Sequence, residues 1–190
     1  MATSPASVRT TRDPGFRFRA GQFARLGVTK ADGSTVWRAY SMVSAPHDEF
    51  LDFFSIVVPG GEFTSELSRL QVGDTLLVDR QAFGYLTLDR FVDGRDLWLL
   101  STGTGVAPFL SILQDFEVWE RFERIILVYS VREARELGAR QLAHGIEEAH
   151  ARILGGQRGE QVAQRVLVLR TDRPQQQLAA LPLDLALELG

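Results

Sequence analysis

The chain has 190 residues, a net charge of −3, 45% hydrophobic and 24% charged residues, enough to bury one good core or two small ones. It has no cysteine, which excludes disulfides, thiolate metal sites, iron–sulfur clusters and cysteine nucleophiles, so redox chemistry would have to come from a bound organic group. The slight acidity argues against general nucleic-acid binding; no apolar run is long enough for a membrane span, and residues 1–19 lack the apolar middle of a signal peptide, making a cytoplasmic location the expectation.

Positive charge is concentrated near the start, where Arg9, Arg12, Arg17, Arg19, Arg25 and Lys30 are set against Asp13 and Asp32. A solvated face is the plain reading; docking of an acidic protein is the other. Lys30 is the only lysine, so an isolated arginine carries little weight.

From residue 16 to about 88, short apolar or alternating runs are separated by turn signals at 31–34, 44–48, 59–61 and 72–74. Several short strands at such spacing predict a small antiparallel barrel. Residues 51–58 form the clearest strand and residues 75–79 another. Between them Phe63, Leu67 and Leu70 have helical spacing, predicting a short helix that caps one barrel end.

The texture changes after 93–95. Residues 97–100 are an apolar run, 101–105 a glycine turn, 106–116 a predicted helix and 124–129 a second apolar strand. Strand, glycine turn, helix, strand is the βαβ pattern of a parallel sheet. A helix over about 132–152, a third strand at 165–169 and a leucine-rich helix after Pro174 are expected to follow. All Phe, Trp and Tyr residues lie at or before Tyr129, so the tail is built differently from the rest.

Three constellations have chemical potential. On a strand, Arg38 and Tyr40 face one way and Ala39 and Ser41 the other. A guanidinium suits a diphosphate and a phenol ring suits a flat conjugated system, although a half-buried strand with a surface arginine and a core tyrosine explains the same residues. Residues 59–65 run a glycine turn into a short helix; the first amides with the Thr64 and Ser65 hydroxyls suit phosphate, or simply cap the helix. Residues 102–108 place Thr104 between two glycines where a strand feeds a helix, suiting either a nucleotide or a tight turn. His47, His144 and His150 have no ligand spacing, so no metal is expected.

Together, Arg38-Ala39-Tyr40-Ser41, Phe53-Phe54-Ser55-Ile56-Val57, residues 61–65 and residues 100–109 resemble, in order and spacing, the bacterial ferredoxin/flavodoxin–NADP reductases. The resemblance runs from about Arg9 to Leu137. It implies an antiparallel FAD-binding β-barrel over residues 1–92, with the family's opening strand, which would precede Arg9, expected to be missing and replaced by Met1 to Ser7. A partial, Rossmann-like parallel sheet binding NADP(H) would occupy residues 93–190, with a divergent tail from about 138. It further implies hydride transfer between nicotinamide C4 and flavin N5, and single electrons passing to ferredoxin or flavodoxin, small acidic carriers, with no nucleic acid or membrane involved. In this comparison Arg38 binds the FAD diphosphate, Tyr40 packs on the isoalloxazine, and Ser41 hydrogen-bonds near N5. Ala39 lies with them, Phe54 meets the adenine or ribityl region, and Glu62, Phe63 and Thr64 give backbone contacts to phosphate. Thr104 sits between the two rings, and Val131 and Arg132 contact the second nucleotide, Arg132 at its 2′-phosphate. Beyond about Leu137 the family's later arginine region and aromatic C-terminus are not found. The alternative is therefore a flavin-binding module, or an inactive fragment, that needs another chain to complete the nicotinamide site.

Overall fold

The fold is given by a computed structural model, which describes residues 6–131 and the backbone of residues 151–154 and 163–170. Strand β1 (Ala6–Thr11) pairs antiparallel along its whole length with β4 (Phe50–Ser55), so that a strand runs through Arg9 itself. Strands β2 (Phe23–Thr29) and β3 (Thr35–Ser41) form a hairpin, and β5 (Leu77–Val78) joins the other edge of β2. The hairpin loop closes because the Lys30 amide donates to the Ser34 carbonyl at 2.8 Å, while Asp32 Oδ1 accepts from the Ser34 amide and hydroxyl. Helix α1 (Glu62–Leu67) lies between β4 and β5, at the predicted place.

The expected barrel does not close. Its strands form one two-stranded and one three-stranded sheet, β1-β4 and β3-β2-β5, and an isolated bridge, Met42 to Phe53, joins β3's continuation to β4. The cause is local. After Met42 the chain turns away through a loop in which Asp48 Oδ2 takes the Ala45 amide at 2.8 Å, and of the strand expected at 75–79 only Leu77 and Val78 pair. A barrel needs unbroken edge-to-edge pairing, which these short edges do not supply. Side chains fill the gap instead: Phe16, Phe18, Leu26, Val28, Met42, Leu51, Phe53 and, from α1, Phe63 make one buried core between the sheets.

The second half starts with β6 (Asp96–Thr102), passes through a 3-10 turn (Gly103–Val106) into α2 (Ala107–Leu113) and α3 (Phe116–Arg121), and returns in β7 (Arg124–Val131), parallel to β6. Pro108 occupies the first turn of α2, where its missing N–H leaves no bond unmade. The single helix expected over 106–116 is two. Asp115 has extended backbone and its side chain accepts the Glu117 amide, so it ends one helix by capping the next.

The sheet is mixed, in order β6-β7-β9-β8, and this corrects the expectation of a parallel one beyond its first two strands. Strand β9 (Ala163–Arg170) covers the third strand expected at 165–169 but runs antiparallel to β7, and β8 (Ala151–Leu154) pairs antiparallel with β9. Only residues 155–162 separate β8 from β9, too few for the crossover that a parallel pair requires. β8 takes in the last two residues of the helix expected over 132–152. The rest of that helix, and the one after Pro174, lie outside the described residues. Among the described residues no helix is long and apolar enough to cross a membrane.

A second core joins the halves, with Ala20, Phe54 and Leu88 packed among Leu99, Leu110, Ile112, Val118, Ile125, Leu127 and Tyr129. Arg121 reinforces this junction by donating to the carbonyls of Leu88 and Phe91 and to Asp93 Oδ1 at 2.8 Å. The early basic residues are mostly neutralised. Arg9 pairs with Asp52, Arg19 with Asp89, Arg25 with Asp79, and Lys30 with Glu62 and Asp32, while Arg12 and Arg17 donate to backbone carbonyls. The plain reading of that cluster as a solvated face accounts for these pairings.

Gly21 has φ of +91°, and a Cβ there would stand 1.9 Å from the Leu86 carbonyl oxygen and 3.0 Å from Ile112 Cδ1. Gly33 also has positive φ, +81°, but open space around it. Gly33→Ala should therefore cost only backbone strain, about 1–2 kcal/mol, whereas Gly21→Ala must also displace the Leu86 backbone and should cost at least twice that, read by urea unfolding. Equal losses would mean that Gly21 does not mark a tight contact. A second prediction concerns the start of the four-stranded sheet, where Arg124 Nε donates to Asp96 Oδ1 at 2.7 Å and holds the Asp96 carboxyl below its usual range. A carboxyl with a lowered folded-state pKa stabilises above its unfolded value and loses that contribution as pH falls through the folded one. Asp96→Asn should flatten the acid limb of the stability profile below about pH 4 and leave its slope near neutrality unchanged.

Candidate functional site

Arg38 lies on β3, exposed, with its cross-strand neighbour Leu26 fully buried. Its Nη1 donates to the Trp37 carbonyl at 2.8 Å, and among the described residues no carboxylate is within ion-pair distance of it. That sets it apart from Arg9, Arg19, Arg25, Arg121 and Arg124, each of which has an acidic partner. An exposed guanidinium with most of its donors unused suits an anion from outside the chain.

Tyr40, two residues on and on the same face, is half-buried. Its hydroxyl is 3.0 Å from Ser55 Oγ and its ring packs tilted on Phe63 with centroids 5.4 Å apart. Strand β4 and helix α1 thus fix the ring from two sides. Ser41 closes β3, half-buried and facing away from Tyr40, with Phe23 across the ladder, and Ala39 is exposed on that same side.

Helix α1 begins from Gly61 in extended backbone, without a side-chain cap. The expectation that Thr64 or Ser65 caps the helix is therefore replaced by another arrangement: Thr64 Oγ1 accepts the Val58 amide at 3.0 Å and ties the Gly60–Gly61 turn to the helix. Phe63 is 2% exposed, in the first core, which orients the helix. Glu62 points outward to Lys30 Nζ at 2.9 Å. With the Ser65 amide bonded to the Gly61 carbonyl, the amides of Glu62, Phe63 and Thr64 are first-turn donors with no intrahelical acceptor.

Phe54 is 7% exposed and packs in the second core, on the opposite face of β4 from Phe53. Thr104 sits half-buried in the 3-10 turn, its carbonyl accepting the Ala107 amide. Val131 ends β7, 5% exposed in the second core, and Arg132 lies outside the described residues. The described geometry brings the Tyr40 ring against Phe63 of α1 and the Ser55 hydroxyl of β4, with Thr64 next to Phe63 along α1 and Arg38 exposed on the same face of β3 as Tyr40. It keeps Ser41 on the other face of β3, and Thr104 on the second half. Residues that the sequence did not single out for a role are Ser55, which holds the Tyr40 hydroxyl, and Ser111 and Gln114, which tie α2 to the segment after β3. Ser55 lay inside a recognised motif; a serine and a glutamine on an apolar helix carry no sequence signal of such a tie. Among the described residues no cluster of potential metal ligands occurs.

Residues 6–80 match the oxidoreductase FAD-binding domain family and residues 99–173 the oxidoreductase NAD-binding domain family, the second reaching well past Leu137. Among curated proteins the chain is 49% identical over 150 residues to ferredoxin–NADP reductase A of Sorangium cellulosum, covering 78% of this chain and 53% of that protein. It is 51% identical over 131 residues to the ferredoxin–NADP reductase of Pseudomonas aeruginosa, covering 69% and 50%. Among solved structures, a Neisseria gonorrhoeae ferredoxin NADP+ reductase with bound FAD and NADP superposes with a TM-score of 0.70 at 39% identity, over 76% of this chain and 58% of that one. The chain spans about half the length of the curated relatives it matches. With two ordered domain matches and this level of identity, the chain matches the bacterial ferredoxin/flavodoxin–NADP reductase family over that span.

Proposed function

We propose that this chain is an FAD-dependent oxidoreductase that exchanges electrons between NADP(H) and a small acidic carrier, ferredoxin or flavodoxin. The observation that carries the reading is Arg38, an exposed guanidinium without an acidic partner among the described residues, two residues from the pinned ring of Tyr40 and on the same face of β3. Those residues fit FAD. When bound, the flavin supplies the step between two-electron hydride chemistry and one-electron transfer.

The chain's own contributions follow from its side chains. Arg38 neutralises the diphosphate through paired charge-assisted hydrogen bonds, and the first-turn amides of α1 at Glu62, Phe63 and Thr64 share that charge. Tyr40, unable to swing because Phe63 and Ser55 hold it, gives the flavin ring a flat wall and excludes water from one side. At the end of β3 the Ser41 hydroxyl would be offered to the flavin near N5, from the face of the strand opposite Tyr40, with Ala39 beside it. Phe54, in the second core, would support the adenine or ribityl region. Thr104 and the glycines beside it receive the nicotinamide, Val131 lines the end of the second strand, and Arg132 selects the 2′-phosphate.

A second reading has its own observation. Strand β6 is the edge of its sheet among the described strands, with Trp98 52% and Leu100 65% exposed, and such a surface favours a flavin-binding module completed by another chain. Purified protein with retained FAD that bleaches when NADPH is added without oxygen supports the reductase; yellow protein inert to NADPH supports the module; folded protein that takes up no FAD defeats both.

Arg38→Ala should weaken FAD binding by about 1.5–3 kcal/mol, tenfold or more in the dissociation constant measured by flavin fluorescence, with Arg38→Lys between the two. Arg132→Ala should leave FAD affinity unchanged and narrow the preference for NADPH over NADH. A loss of FAD on replacing Arg132, equal to that on replacing Arg38, would contradict the division of roles.

A further inference from the structure

Helix α2 is gripped to the barrel-side half by two side chains near its C-terminal end. Ser111 is fully buried and its Oγ donates to the Ser44 carbonyl at 2.8 Å, across 67 residues of sequence. At the end of the helix Gln114 Nε2 donates to the Val43 carbonyl at 2.7 Å and to Leu110 at 2.9 Å. Consecutive carbonyls of the segment leaving β3 are thus held from one helix.

The same segment is held from its other side by backbone. The Val43 amide donates to the Asp52 carbonyl at 2.8 Å, the Met42 amide to Gln22 at 3.1 Å, and Ser44 Oγ accepts the Asp52 amide at 3.2 Å. Ser41, the last residue of β3, lies immediately before it. At its other end α2 continues directly from the 3-10 turn that contains Thr104, so α2 is a strut about 10 Å long between the two proposed ring sites.

A fully buried position on a helix between Leu110 and Ile112 would serve packing and helix propensity better as alanine. Serine there, and a glutamine turned inward at the helix end, have uses that the cores do not require. We infer that Ser111 and Gln114 are positioning residues: they fix where the Gly103–Val106 turn stands relative to the Tyr40–Ser41 end of β3, and hence the register between flavin and nicotinamide. This rests on the reading above of two nucleotide sites. Hydride transfer is far more sensitive to such register than binding is, since a displacement of about 1 Å can cost a hundredfold in rate.

The test compares the full chain with Ser111→Ala and with Gln114→Met, the second being half-exposed and close to isosteric, so that it folds if the first does not. Four quantities are measured: FAD affinity, NADP+ affinity by calorimetry, the change in flavin absorbance on saturating with NADP+, and the saturating rate of flavin bleaching by NADPH. The expected result is at least a tenfold loss of rate and a clearly smaller absorbance change, with both affinities within about twofold of the parent. Unchanged rate and absorbance overturn the inference, as does a loss of FAD affinity in proportion to rate, which would mark a structural role only. A parent chain that binds no FAD overturns the functional reading and this role with it. A parent that binds both nucleotides, alongside variants that match it, overturns the positioning role alone.

Discussion

Phe53 and Phe54 are neighbours on β4 and belong to different cores. Phe53, fully buried, faces the space between the two small sheets with Leu51 and Met42; Phe54 faces Leu99, Leu110 and Ile112 of the second half. The second face of β4 is shared: Phe54 enters the junction, while Phe50 is 44% exposed and Asp52 pairs with Arg9. The split between the two phenylalanines fixes register, because a one-residue slip would exchange the cores they enter, and the β1 ladder and the Met42 bridge share that register. Apolar packing at Phe54 seats the second half on the first, together with the hydrogen bonds of Arg121, Ser111 and Gln114.

Charge is arranged around that frame with little left over. Acidic partners answer most of the arginines and the one lysine near the sheets, and exposed pairs of this kind contribute little to stability. Their larger effect is selective. By neutralising Arg25 on the adjacent strand and Lys30 in its loop they leave the Arg38 guanidinium as a positive point beside the Tyr40 ring, where an anion loses less to competing cations. The same economy explains Glu62, which faces Lys30 instead of the first-turn amides of its own helix and so does not occupy them as an internal anion.

Much of this was legible in the sequence because it is local. The alternation in β3, the helical spacing of Phe63 and Leu67, the glycine turn before Pro108 and the parallel pair β6 and β7 each depend on a few adjacent residues, and all are found where expected. What was not legible depends on partners distant in sequence. Barrel closure failed because one edge pairs over two residues only, a property of pairing partners and not of composition. The helix break at Asp115 turned on whether its carboxylate would reach the Glu117 amide, and a polar residue in a helical pattern leaves that open. The antiparallel pairing of β8 with β9 follows from the short connection between them, just beyond the stretch 132–152 where a long helix was expected. Within the site, Arg38 and Tyr40 were readable as a strand pair, whereas the Ser55 hydroxyl that pins the ring needed the third dimension.

The two halves therefore carry unequal demands. The contact of β3 with α1 rests on the first core, through Phe63, and on the loop that Thr64 ties to the helix. The turn that holds Thr104 inherits its place through α2, from a buried serine, a glutamine and a glycine at Gly21 that admits no side chain. Binding a nucleotide tolerates small errors because many weak contacts share the load, but aligning two reacting rings does not. On the function proposed above, cofactor affinity would outlast turnover as the junction loosens, and the order in which those two properties fail would be set by which core each site rests on.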